Sequence, residues 1–76
     1  MSETEILSYT DKLAYMANQI AAAFAAEGEE KQVADTADHI QKFWDPAMRR
    51  DLMALDAAKL KPAALKARAL VKLPKS

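Results

Sequence analysis

The 76-residue chain has no cysteine, one glycine, one histidine and one tryptophan. Without cysteine there are no disulfide staples, and with a single histidine no thiolate iron–sulfur or zinc centre can be assembled. One glycine cannot build a phosphate-cradling loop, and the eleven carboxylates show no calcium-loop spacing. No apolar run reaches membrane-spanning length. The opening segment MSETEILSYT has neither a basic stretch nor an apolar run of leader length, so a cytoplasmic protein is expected. Few β-branched residues and three prolines leave an all-α composition.

Alanine supplies much of what remains. Of 39 apolar residues 17 are alanine, which favours helix but adds little driving force for burial. A chain this short buries only about 60% of its unfolded surface, so a single domain over 1–76 with a thin core is expected. Small domains without disulfide or metal often draw stability from a partner. Net charge is zero but polarised: residues 1–45 carry 3 cations and 9 anions, residues 46–76 carry 8 cations and 2 anions. Such halves either attract one another or meet an outside partner.

Four helices follow from periodicity and punctuation. Helix 1 starts near Ser8 or Thr10, with Ser8 and Asp11 spaced as a capping box. It presents Leu13, Met16, Ala17, Ile20 and Phe24 on one face, and Gly28 suits a left-handed position just after it. Ala14, Asn18, Ala21 and Ala25 form a second, small-residue stripe beside Tyr15 and Ala22. A helix apolar nearly all round is generally buried, so this back face is read as a contact with another chain, or else as a partly exposed alanine-rich surface. Helix 2 begins after EGEE (27–30), with Glu29 and Glu30 where the positive end of its dipole favours acids. It carries Val33, Ala37, Ile40 and Trp44 inward, Phe43 at the stripe edge, and an Asp38–Lys42 ion pair. A short break joins it to helix 1, predicting an antiparallel hairpin. Asp45 is the N-cap and Pro46 the first residue of helix 3, whose Met48, Leu52 and Leu55 share a face and which ends before Pro62. Pro62 opens a fourth helix over PAALKARALVKL, with Leu65, Ala69 and Leu73 aligned. Residues 1–7 and 74–76 are expected to fray.

No constellation carries catalysis. His39 has Asp35 one turn before it, an arrangement common on exposed helices, and lies off the apolar stripe; an exposed or capping histidine is the plainer reading. The acids of EGEE fit a helix start. Arg49 and Arg50 fall in or just after the first turn of helix 3, where the dipole disfavours cations. They pair either with helix 2 acids or, as guanidinium forks, with a partner's carboxylates or carbonyls. Phe43 and Met53 could flank such a contact, since aromatics, Met and Arg are enriched at interfaces, whereas Trp44 belongs to the core.

Two segments together resemble the small delta subunit of soluble NAD-dependent formate dehydrogenases. They are KLAYMANQIAAAF (12–24) and ADHIQKFWDPAMRRDL (37–52). Lys12, Leu13, Met16, Ala17, Asn18, Gln19 and Ile20 match the first motif. His39, Ile40, Phe43, Trp44, Asp45, Pro46, Met48 and Arg49 match the second. The resemblance spans roughly Asp11 to Leu55 and implies a cofactor-free helical subunit, neither catalytic nor metal-binding itself. In that family a large subunit oxidises formate at a pterin-bound molybdenum or tungsten, and other subunits pass the electrons through iron–sulfur clusters and flavin to NAD+. The implied role is to bind and stabilise that large subunit, with cofactor insertion as an extension. Tyr15, Asn18, Gln19, Phe43, Arg49, Arg50 and Met53 are the expected partner-binding residues, with Asn18 and Gln19 bonding either across an interface or to helix 3. Neither nucleic acid nor membrane is an expected partner. A free-standing homo-oligomer and a helix–turn–helix nucleic-acid binder using the basic half stay open as alternatives, and the isolated chain could dimerise.

Overall fold

The computed structural model describes residues 9–73. Ser8 and the expected frayed ends, 1–7 and 74–76, lie outside them. Four helices follow in order: α1 (Tyr9–Ala23), α2 (Glu29–Phe43), α3 (Pro46–Ala54) and α4 (Pro62–Arg68), with 3₁₀ turns at Ala25–Glu27 and Ala57–Lys59. The described residues contain no strand, so the all-α expectation holds.

Helices α1 and α2 form the hairpin. The connection turns the chain back within five residues, and Gln32 Nε2 reaches across to donate to the carbonyl of Ala21 at 2.7 Å. Gly28 does not terminate α1, which has already ended at Ala23. With φ 93° and ψ 153° it sits directly before α2, in a region essentially reserved for glycine, and its carbonyl accepts the amide of Gln32 at 2.8 Å. The start of α3 follows the sequence reading: Asp45 Oδ1 accepts the amide of Met48 at 2.8 Å, and Pro46 occupies the first turn.

The end of α3 differs from expectation. The helix stops at Ala54, well short of Pro62, because Leu55 turns extended (ψ 146°) and Asp56 Oδ1 captures the amide of Ala58 at 3.0 Å. A short acidic side chain that bonds its own backbone competes with helix propagation. Helix α4 ends at Arg68 instead of running on to Leu73.

Leu13, Ile40 and Leu52 are the largest fully buried apolar side chains, one each from α1, α2 and α3. Trp44, Leu55, Leu60 and Val71 join them, and the other six core residues are all alanine: 14, 17, 21, 37, 64 and 67. With so little side chain between them, α4 can lie close against α1 and α2. This arrangement corrects two expected faces. On α1 the inward side is Leu13, Ala14, Ala17 and Ala21, whereas Met16 is exposed and Ile20 and Phe24 are only partly covered. On α4 the inward residues are Ala64 and Ala67, then Val71 beyond it; Leu70 and Leu73 face out and Leu65 is half-buried. In both helices the small side chains point inward, since α1 contacts α2, α3 and α4 together.

Candidate interaction surface

The joint between α2 and α3 is held by one arginine. Arg49 Nη1 donates to the carbonyls of Trp44 (2.6 Å) and Gln41 (3.3 Å), satisfying acceptors that the end of α2 leaves unpaired. Its position in the first turn of α3, unfavourable to that helix, is favourable to the C-terminus of α2. Through this nitrogen Arg49 meets carbonyls and not helix 2 acids, and its Nε is buried without a partner among the described residues. Arg68 does the same for α3, donating to the carbonyls of Leu55 (2.7 Å) and Leu52 (3.3 Å).

Two primary amides hold the backbone on either side of α4. Asn18 Oδ1 accepts the amide of Lys61 at 2.8 Å, while its Nδ2 donates to the carbonyl of Lys59 at 3.1 Å. Gln41 Oε1 accepts the amide of Lys72 at 2.7 Å, and its Nε2 donates to the carbonyl of the same residue at 3.2 Å. Asn18 is thus used inside the chain, on the connection that follows α3. The Gln41 and Arg68 contacts span 31 and 13 to 16 residues, and no local pattern signals them.

The charge polarity of the sequence is partly resolved internally. Lys59 pairs with Asp11, tying the turn before α4 to α1, and Lys66 pairs with Glu29, tying α4 to the start of α2. Along α2 the Asp38–Lys42 pair forms as expected at 3.1 Å, with Lys31–Asp35 at 3.6 Å. The hydrogen bond from Lys66, and then its charge, holds the Glu29 carboxyl below the usual glutamate range. Glu27 moves the other way, raised first by a hydrogen bond shared with Asp35. A depressed carboxyl stabilises the fold above its unfolded pKa, and this contribution disappears as pH falls through the lower folded value. Lys66→Met should accordingly melt below wild type at neutral pH. The gap should close on acidification and narrow with added salt, as thermal unfolding at several pH values will read.

The remaining expected residues divide by exposure. Met53 is half-buried against the core and Arg50 is exposed. Tyr15 is 64% exposed, and its hydroxyl accepts from Gln19 Nε2 at 3.0 Å on the outer side of α1. Phe43 is 72% exposed, although its neighbour Trp44 is buried at 5%. Its ring lies 4.7 Å from that of His39, tilted by 41°, so the histidine acts as an aromatic neighbour. Sequence reasoning missed Tyr9 and Met16, both exposed; the periodicity of α1 assigned Met16 inward. Desolvation first, then a hydrogen bond and charge from Asp51 and the charge of Asp45, keep the Tyr9 hydroxyl protonated beyond the ordinary phenol range. Among the described residues no cluster of three His, Asp or Glu side chains could hold a metal ion. No helix among them is long and apolar enough to cross a membrane.

The family model of the NADH-dependant formate dehydrogenase delta subunit FdsD matches residues 12–68, from the first turn of α1 to the end of α4. No curated protein and no solved structure matches the chain.

Proposed function

The chain belongs to the formate dehydrogenase delta-subunit family, and from that premise we propose that it binds and stabilises the molybdenum- or tungsten-bearing catalytic subunit of the complex in the cytoplasm. Family membership makes it an accessory subunit of a formate dehydrogenase. Its part is non-catalytic, and extends to keeping the large subunit competent to receive its metal cofactor.

One observation carries the reading: Phe43, a large apolar ring, stands 72% exposed beside a joint whose neighbouring residues are mostly engaged internally. Asp45 caps α3, Trp44 fills the core and Arg49 closes α2. Aromatic side chains are enriched in the cores of protein interfaces, and within the chain the Phe43 ring has the ring of His39 as its neighbour. Against a nucleic-acid role, four of the eight cations after Pro46 (Arg49, Lys59, Lys66 and Arg68) are engaged within the chain. Of the residues expected to meet a partner, Tyr15, Gln19, Phe43 and Arg50 are exposed for it.

Co-expression of the tagged chain with the other formate dehydrogenase subunits tests this. The catalytic subunit should co-purify with it in a fixed ratio. Omitting the chain should leave the catalytic subunit poorer in molybdenum or tungsten and slower in formate oxidation. Elution of the tagged chain alone, beside a fully metal-loaded and active remainder, overturns the proposal.

A further inference from the structure

We propose that the outer side of α1, from Tyr15 and Met16 to Tyr9 and on to Phe43, is the docking surface, and that its occupant is a mainly apolar surface of a much larger protein. The inference rests on the reading above, in which that protein is the catalytic subunit.

The first argument is charge. Residues 13–26 contain no acidic or basic side chain, in a chain that is 29% charged. Yet Tyr15, Met16, Gln19, Ala22 and Ala23 of that stretch are exposed. An exposed helix side normally carries charges, and their depletion together with Tyr and Met marks the centre of protein interfaces. Opposite residues 13–26 a charged partner would lose hydration and gain no counter-charge, so the complementary surface there is neutral and apolar; Lys12, exposed one turn before Met16, is the one cation of α1. An anionic lipid surface is disfavoured by the same fact, because interfacial helices carry Lys and Arg along their polar side.

The second argument is continuity. Met16 lies two turns from Tyr9 on one edge of α1. At its N-terminal end α1 packs against α3, the helix that follows the joint just after Phe43, and desolvation and then Asp51 and Asp45 of that region raise the Tyr9 hydroxyl pKa. Four of the six large exposed apolar side chains of the described residues are therefore on α1 or at the joint before the helix it packs against.

The third argument is size. The outer side of α1 from Lys12 to Ala23 is about 18 Å long and about 10 Å wide. That is roughly 200 Å², about a quarter of what each partner contributes to a stable complex. A second copy pairing through α1 alone would bury too little. A stable complex therefore needs an occupant that reaches beyond α1, round to Phe43.

Glutamate inserted at sites already exposed tests the surface without disturbing the core. Tyr15→Glu and Ala22→Glu should each weaken retention of the catalytic subunit at least tenfold in the co-expressed complex, read by titration of the purified subunits. Ala34→Glu, exposed on α2 away from this path, should bind as wild type, and all three should keep wild-type helicity and melting. If wild type binds and the α1 variants bind equally well, the docking surface is refuted while the accessory role stands. If wild type itself retains no catalytic subunit, the accessory role fails and this inference with it. A concentration-dependent dimer of the isolated chain that Tyr15→Glu abolishes would make the occupant a second copy and overturn the assignment.

Discussion

Replacing Trp44 by alanine should lower the unfolding free energy by about 3–5 kcal/mol, measured by urea denaturation followed through helical circular dichroism. A chain of this size has about 4–11 kcal/mol in total, so the variant should sit near or past the edge of folding. Trp44 is 5% exposed, and the void left by its indole would open where α2 meets α3. Its backbone also holds the joint, because its carbonyl receives Arg49. Phe43→Ala, one residue earlier, should shift stability by only about 0.5 kcal/mol or less, since that ring is 72% exposed and touches chiefly His39. The two adjacent aromatics thus serve opposite purposes. Equal losses from the two substitutions would contradict the burial assigned to Trp44.

Ala14→Leu should destabilise the isolated chain by about 1–3 kcal/mol. Ala14 is 4% exposed in an alanine-rich core, beside the Asn18 and Asp11 contacts with the turn before α4. Three added carbons have no room there, and α4 must move or the leucine must leave its preferred rotamer. Ala22→Leu, on the exposed side, should leave the melting temperature of the free chain nearly unchanged. Had the small-residue stripe of α1 faced only another molecule, Ala14→Leu would be as harmless as Ala22→Leu. The thermal shift of the purified chain separates the two arrangements directly.

The local features of the fold were legible in the sequence because their causes are local. Asp45 and Pro46 mark the start of α3 through a cap and a fixed φ, Pro62 marks α4, and the Asp38–Lys42 pair needs only one helical turn. Where α3 ends was less legible, since the Asp56 side chain competed with a helix that periodicity would have continued. Met16 went to the wrong side for a different reason. Periodicity places the larger apolar residues inward, but α1 has three helical neighbours and buries its small residues among them.

The candidate surface divides the same way. Tyr15, Gln19 and Phe43 stand out in sequence as off-stripe residues, and the structure leaves them exposed. Asn18 and Arg49 stand out equally, yet both bond to the chain's own backbone. An amide or guanidinium carries no local mark of whether its partner is intramolecular; that depends on which carbonyls the tertiary fold brings within reach.

The amino-acid sequence alone determined an all-α chain without thiol chemistry, the starts of α3 and α4, its buried tryptophan and its resemblance to a delta subunit. Those follow from composition, capping and short-range spacing. Helix α2, by contrast, begins at Glu29, inside the EGEE stretch the sequence reading placed before it. Only the tertiary structure decided that α4 packs against α1 and α2, that Asn18 and Gln41 clamp the segments flanking it, and that Tyr9 and Met16 remain outside with Tyr15 and Phe43. Contacts across 30 or more residues arise from the mutual fit of helices and leave no periodic trace in any one of them.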